Sequence, residues 1–138
     1  MVSDDVLLNK VAVVERCLLR IETEYFGHED EFATNYMRQD SIILNLQRAC
    51  EASIDIAMHL VRIYKLGIPQ ESREVFDMLA DNGMLETSLR DHLKAMVGFR
   101  NIAVHDYRKL NLDIVRNVVE KRLGDFRELT SDVLRRGV

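Results

Sequence analysis

The chain has 138 residues, which is enough for one folded domain and too few for two of ordinary size. Hydrophobic residues make up 47% and charged residues 30%, a balance that argues against disorder. The net charge of −4 disfavours a nucleic-acid-binding protein, since proteins that bind phosphates usually carry a basic excess. With six glycines and one proline, the composition favours helices, so we predict a single all-α domain spanning residues 1–138.

The first predicted helix carries apolar residues at steps of three and four, which places them on one face: Leu7, Val11, Val14, Leu18, Ile21 and Tyr25. Ser3 is placed to cap this helix, and Asp4 and Asp5 suit the positive end of its dipole. The acidic stretch that follows, residues 26–39, predicts a loop or frayed turns.

The second predicted helix runs from about Asp40 to Leu66 and has two adjacent apolar stripes. One consists of Ile42, Leu46, Ala49, Ser53, Ile56, Leu60 and Ile63, and the other of Ile43, Cys50, Ile54, Ala57, Val61 and Tyr64. So wide an apolar arc indicates contact with several neighbours, as expected of the central helix of a bundle. We expect Gly67 to end this helix and Pro69 to begin the next unit.

Three further helices are predicted in the second half of the chain. A short one covers residues 71–83 and stops at Gly83, and the next covers residues 87–101 with Thr87 or Ser88 as its cap. Asn111 is expected to cap the last, which has a looser apolar face: Ile114, Val118, Leu123, Phe126 and Leu129. Because the connections are short, we predict an up-and-down bundle of about five helices.

The two cysteines, Cys17 and Cys50, lie in apolar helical stretches. We interpret them as small core residues of a protein in a reducing compartment, not as a disulfide. The N-terminus lacks an apolar run of signal-peptide length, and no window approaches the length of a membrane span. The sequence therefore predicts a soluble, cytoplasmic protein.

The histidines do not suggest a metal site. None of His28, His59, His92 and His105 has a glutamate three residues before it, as carboxylate-bridged metal sites in helical bundles require. We expect His28 and His92 to be solvated, and we predict neither a metal nor another cofactor. A glycine-rich phosphate loop, a Gly-x-Ser-x-Gly elbow and a plausible cysteine nucleophile are all missing from the sequence, which excludes most familiar enzyme chemistries.

Asp55 and His59 are four residues apart on the second predicted helix and share a face with Asn45, Arg48 and Arg62. One interpretation is a surface ion pair along the polar side of the helix. The other is that this face lines a groove, for example at a contact between two copies of the chain. The sequence leaves both open.

The stretch "GFRNIAVHDYRKL", residues 98–110, concentrates polar groups among apolar ones: Arg100, Asn101, His105 and Tyr107. On a straight helix Arg100 and His105 lie about 140° apart around the axis. They could form a polar helix end with His105 near the C-terminal dipole. Alternatively, they flank one groove, either because the helix ends there or because two chains pair about a two-fold axis.

Such a cluster suits metal-free cleavage of RNA. A histidine can take or give a proton near neutral pH, and an arginine can clamp a phosphate in two places. The 2′-hydroxyl of RNA then attacks the adjacent phosphorus, a reaction that DNA cannot undergo. The segment 90–109 also carries five basic residues against Asp91 and Asp106, which predicts a locally positive surface.

"FRNIAVHDY" resembles the Arg-x4-His-x-Tyr motif of HEPN-domain proteins of the HepT-like toxin family. The resemblance extends over most of the chain. Residues 45–85 are similar to the family's central helix, its Gly-x-Pro break and its short third helix, and "MVGFRNIAVHDY" matches the motif helix without a gap.

The resemblance implies a homodimeric all-α bundle in which two Arg–His pairs meet in a composite ribonuclease cleft. It also implies the toxin of a type VII-like HEPN/MNT toxin–antitoxin system, whose partner is a minimal nucleotidyltransferase antitoxin that attaches AMP to the motif tyrosine. By position, Arg100 would polarise the scissile phosphate, Asn101 would orient it, His105 would be the acid–base group and Tyr107 the modified hydroxyl. Lys94, Arg108 and Lys109 are candidate RNA contacts. The alternative is a non-catalytic helical module that binds a nucleotidyltransferase or a nucleotide.

Overall fold

A computed structural model describes residues 4–136 of the chain. It contains six α-helices: α1 (Asp5–Tyr25), α2 (Tyr36–Ile63), α3 (Glu74–Asp81), α4 (Thr87–His105), α5 (Leu112–Lys121) and α6 (Leu123–Arg135). Two single turns of 3₁₀ helix, Glu29–Glu31 and Tyr107–Lys109, lie in the connections. Residues 4–136 include no β-strand, and the predicted all-α class is confirmed.

Side-chain pairs between the long helices give their directions. Asp4, at the start of α1, binds His59 near the end of α2, whereas Glu24 near the end of α1 pairs with Arg38 near the start of α2. Helices α1 and α2 are therefore antiparallel, as the short connection predicted.

The other long helices follow the same up-and-down order. Tyr107, just beyond the end of α4, contacts Asp40 near the start of α2, so these two helices are antiparallel. Arg127 near the start of α6 pairs with Glu22 near the end of α1, which makes α6 antiparallel to α1. The short helices α3 and α5 connect this four-helix bundle.

The apolar face predicted for α1 is confirmed, since all six of its residues are buried. Both stripes of α2 are also buried, except for Ile63 and Tyr64, which are about half exposed because the helix ends there. Helix α2 contacts α1, α3, α4 and α6, as its wide apolar arc predicted. Cys17 and Cys50 are free and buried in this core, as expected.

The beginning of α1 is capped by Asp4, whose Oδ1 accepts a hydrogen bond from the Leu7 N–H at 3.2 Å. The predicted cap Ser3 lies outside the described residues. Helix α2 begins at Tyr36, four residues before the predicted start, because Asn35 caps it by accepting the Arg38 N–H at 3.1 Å.

The end of α2 differs from the prediction. Lys65, not Gly67, is the residue that turns the chain, with a φ of 53° in the left-handed region that favours glycine. The Leu66 N–H then donates to the Val61 carbonyl at 2.9 Å, the bond that closes a Schellman motif.

Two further helix ends were predicted wrongly. Glu86 occupies the N-cap position of α4, so Thr87 and Ser88 belong to its first turn. Helix α4 then continues to His105, four residues past the predicted end. At Gly83, in contrast, a φ of 72° confirms the predicted left-handed stop after α3.

The last predicted helix is two helices, which brings the number of α-helices in residues 4–136 to six instead of about five. The break falls at Arg122, which has a φ of −121°. Ile114 is about half exposed, and the buried face of α5 is formed by Val115, Val118 and Val119. Within the described part of the chain, no helix is both long and apolar enough to span a membrane.

Candidate active site

The Arg-x4-His-x-Tyr motif lies at the C-terminal end of α4 and in the 3₁₀ turn that follows it. Asp106 leaves the helical conformation, although its N–H still donates to the Ile102 carbonyl at 2.8 Å. The Lys109 N–H donates to the Asp106 carbonyl at 2.9 Å and so closes the turn. His105 is therefore the last residue of α4, and Tyr107 is held directly beyond it.

Arg100 is half-buried and lies close to α2. Its Nε is buried and has no hydrogen-bond partner in residues 4–136. Burial raises the pKa of the neighbouring Cys50 thiol on α2 to about 12, and the Arg100 charge offsets this only in part. An unpaired buried donor is costly, and a bound anion such as a phosphate would satisfy it.

His105 is exposed and shares its helix face with the half-buried Asn101, four residues earlier. Because α4 remains helical up to His105, Arg100 lies about 140° away from it around the helix axis. The structure therefore does not bring Arg100 and His105 onto one face of a single chain. Of the two grooves that the sequence allowed, this geometry favours one shared between two chains.

Tyr107 makes a contact that sequence reasoning missed: its hydroxyl donates a hydrogen bond to the Asp40 carboxylate on α2. Burial and the hydrogen bond to Asp40 raise the pKa of the Tyr107 phenol to about 12. Tyr107 is still 43% exposed, so it is partly accessible from the surface.

The three predicted RNA contacts differ in their surroundings. The Lys94 ammonium lies 3.0 Å from both carboxylate oxygens of Asp77 on α3, which neutralises it locally. Lys109 forms an exposed pair with Asp106 at 3.2 Å, and Arg108 is exposed. Of these three residues, only Arg108 forms no ion pair within residues 4–136, so the positive surface predicted for this region is partly neutralised.

Asp55 and His59 do not pair with each other. Asp55 lies 3.0 Å from Lys10 and His59 lies 2.8 Å from Asp4, so both connect α2 to α1. Asp55 also lines a groove of about 340 Å³ between these helices, together with Arg16 and Arg48.

The histidines predicted to be solvated are half-buried and paired with carboxylates. His28 lies 3.0 Å from Glu31, and His92 lies 3.2 Å from Asp125 on α6. Across residues 4–136, no three His, Cys, Asp or Glu side chains are grouped in a way that could hold a metal ion.

An apolar groove of about 310 Å³ lies beside the motif, between α4 and the start of α5. Ala95, Gly98 and Ile102 line it from α4, and Ile114 lines it from α5. Ile102 and Ile114 are 45% and 53% exposed. The sequence contained a signal for this groove, because Ala95, Gly98 and Ile102 are small or apolar residues at steps of three and four. The signal was missed because the predicted helix ended at Asn101, before Ile102.

Comparison with known proteins gives a family match over most of the chain. The sequence model of the family described as "Ribonuclease HepT-like" matches residues 14–133. A relative from Shewanella oneidensis named "mRNA nuclease HepT" is 53% identical over 125 residues, which cover 91% of this chain and 93% of the relative.

Solved structures of similar proteins also match this chain over most of its length. One is a tri-AMPylated Shewanella oneidensis HEPN toxin in complex with MNT antitoxin, 50% identical, with a TM-score of 0.92 over 96% of this chain and 99% of that chain. Another, a toxin–antitoxin with AMP-PNP, is 49% identical, with a TM-score of 0.92 and the same coverage of both chains.

Proposed function

This chain belongs to the HepT-like ribonuclease family, and on that premise we propose that it is the RNA-cleaving toxin of a type VII-like HEPN/MNT toxin–antitoxin pair. The family resemblance inferred from the motif is confirmed, and the relative's name agrees with the predicted enzyme class. The observation that carries the proposal is the motif at the open end of α4, where Arg100 keeps an unpaired buried Nε and His105 is exposed.

In the proposed reaction, His105 takes the proton of the RNA 2′-hydroxyl, and the oxygen attacks the adjacent phosphorus. The bond to the 5′-oxygen breaks, and this oxygen leaves with a proton returned by His105, the acid–base group. Arg100 binds the scissile phosphate and stabilises the charge that develops on it, while Asn101 orients it. Acid–base catalysis of this kind contributes roughly 10²- to 10⁴-fold in rate. The products are a 2′,3′-cyclic phosphate and a 5′-hydroxyl, and the step uses no metal.

We place this reaction in a homodimer. Because Arg100 and His105 lie on different sides of α4, each chain would contribute both residues to a cleft shared with its partner. The apolar groove lined by Gly98, Ile102 and Ile114 lies beside the motif and offers a surface for the second copy. Arg108 and Lys109, on the turn after α4, would bind flanking RNA phosphates.

The proposed partner is a minimal nucleotidyltransferase antitoxin that attaches AMP to Tyr107. A relative half identical in sequence is AMPylated in complex with its MNT antitoxin. An AMP group on Tyr107 would add negative charge and bulk beside His105, where an RNA phosphate must lie, and so inhibit cleavage. With RNA as substrate, the protein would act in the cytoplasm.

The test is digestion of RNA with the unmodified protein in the presence of a metal chelator. Arg100→Ala and His105→Ala should each lower the cleavage rate at least 100-fold. His92→Ala is the matched control, since His92 lies on the same helix but pairs with Asp125 outside the motif. We expect it to cleave at the rate of the wild type.

Three results would reject the proposed reaction: cleavage that survives both motif substitutions, a requirement for Mg²⁺, or products without cyclic phosphate ends. Protein that binds the antitoxin but never cuts RNA, even with Tyr107 unmodified, would favour the non-catalytic module instead.

A further inference from the structure

The hydrogen bond between Tyr107 and Asp40 joins residues that are 67 positions apart in the chain. Asp40 lies in the second turn of α2 and is exposed, and its carboxylate has no other hydrogen bond or ion pair in the described part of the chain. The contact exists only because α2 and α4 pack antiparallel, with the start of one beside the end of the other.

Neither element needs this bond to hold its local structure. The start of α2 is already capped by the side chain of Asn35. The turn after α4 is closed by its own backbone bonds, from the Lys109 N–H to Asp106 and from the Leu110 N–H to Tyr107. The Asp40 carboxylate is therefore available for a chemical role at the Tyr107 hydroxyl.

No cation within residues 4–136 forms an ion pair with Asp40, and two cations close to Asp40 or Tyr107 in the sequence have other partners. Lys109 pairs with Asp106, while Arg38, two residues before Asp40, pairs with Glu24 at 3.5 Å and lies 3.9 Å from Glu31. The Tyr107 phenol, which burial and Asp40 keep protonated at neutral pH, must lose a proton before it can bond to phosphorus. The group that its proton already faces is the Asp40 carboxylate.

We propose that Asp40 orients the Tyr107 hydroxyl and accepts its proton when Tyr107 is AMPylated. This inference rests on the proposed function, in which a nucleotidyltransferase supplies ATP. The Tyr107 Oη attacks the α-phosphorus of ATP and forms a new phosphorus–oxygen bond. The bond between that phosphorus and the pyrophosphate oxygen breaks, and pyrophosphate leaves with the electron pair. The phenolic proton passes to Asp40 and then to solvent.

The experiment measures transfer of radiolabelled AMP from ATP to the full chain by its MNT antitoxin under single-turnover conditions. Asp40→Asn keeps a hydrogen-bond acceptor of the same size but a far weaker base, and should lower the rate constant about 100-fold. Asp40→Glu keeps the base and should remain within about tenfold of the wild type. Asp55→Asn is the matched control, because Asp55 is exposed on the same helix about 22 Å further along. The Asp55→Asn variant should be AMPylated at the rate of the wild type.

A pH profile separates proton acceptance from a structural role. With the carboxylate present as proton acceptor, the rate should be nearly constant between about pH 6 and pH 9, since the reaction then does not depend on the phenolate fraction in solution. In Asp40→Asn only the small phenolate fraction reacts, so the rate should rise about tenfold per pH unit. Thermal melting of each variant checks that the fold is retained.

Two outcomes would overturn the inference: an Asp40→Asn rate equal to that of the wild type, or a slower rate with the flat profile unchanged. Failure of the proposed function would look different. Wild-type protein would then take up no AMP, or peptide mapping would place the AMP on a residue other than Tyr107.

Discussion

Tyr25, the last residue of α1, ties that helix to α5 through its hydroxyl. The ring is fully buried and packs edge-on against Phe32, with ring centres 5.6 Å apart. The hydroxyl donates to the Glu120 carboxylate and accepts a hydrogen bond from Arg116 at 3.1 Å. The Arg116 guanidinium also lies over both rings and donates to the Glu29 carbonyl at 3.4 Å.

Tyr25→Phe removes this hydroxyl and leaves the ring packing in place. Two hydrogen bonds to charged groups are lost, and each is worth about 1.5–3 kcal/mol. The loss is smaller than their sum, because Glu120 is exposed and can return to water while Arg116 keeps its bond to Glu29. We therefore expect the free energy of unfolding to fall by about 1.5–2.5 kcal/mol.

Urea unfolding followed by circular dichroism measures this loss as a lower midpoint at an unchanged m-value. Tyr36→Phe is the matched control, because Tyr36 is 72% exposed. Loss of its hydroxyl should change the free energy of unfolding by less than about 0.5 kcal/mol. A Tyr25→Phe loss no larger than that of the control would refute the reasoning.

The pH dependence gives a second check on Tyr25. Burial and the hydrogen bond to Glu120 raise the pKa of the Tyr25 phenol to about 12, whereas tyrosine in an unfolded chain titrates near pH 10. The folded state therefore holds this proton longer than the unfolded state does. Its contribution is complete below about pH 10 and is lost as the pH rises towards 12, so Tyr25→Phe should flatten the alkaline decline in stability.

Two further predictions concern helix ends. Lys65→Gly should raise the free energy of unfolding by about 0.5–1 kcal/mol. Glycine adopts the positive φ of Lys65 without strain, and this gain exceeds the cost of the greater conformational freedom of glycine in the unfolded chain. Thermal melting measures the change, and an equal gain for Lys65→Ala would contradict the prediction. Burial of Asp4 opposes its ionisation, but hydrogen bonds from His59 and the Leu7 N–H outweigh it and lower the pKa of Asp4. The contribution of ionised Asp4 to stability is therefore present above about pH 4 and lost as the pH falls further. Asp4→Asn should weaken the dependence of the unfolding free energy on acid pH. An unchanged acid profile would count against a stabilising Asp4–His59 pair.

The sequence predicted buried faces better than helix ends. The α1 stripe was correct because burial repeats with the period of the helix. The start of α2 was missed because its first residues, Tyr36 and Met37, are 72% and 86% exposed, so the apolar pattern begins only at Ile42. The helix itself begins where Asn35 caps it, which depends on a side-chain bond and not on burial.

The break between α5 and α6 was invisible for a related reason. Val115, Val119, Leu123 and Phe126 are all buried, and their steps of four, four and three residues continue with helical periodicity across Arg122. A pattern that remains in phase through a break gives no sign of it. Only the backbone at Arg122 separates the two helices.

The motif could be read from the sequence because its residues fall within one short run, whereas Asp40 belongs to no motif and comes near Tyr107 only through packing.

The position of the C-terminal end of α4 determines how Arg100 and His105 can act together. Had α4 ended at Asn101, as the spacing predicted, the chain could have turned and brought His105 back towards Arg100 within one subunit. Because α4 remains helical to His105, the two side chains stay on different sides of the helix. This placement is the reason for proposing a homodimer, in which each chain would contribute both side chains to a cleft shared with its partner.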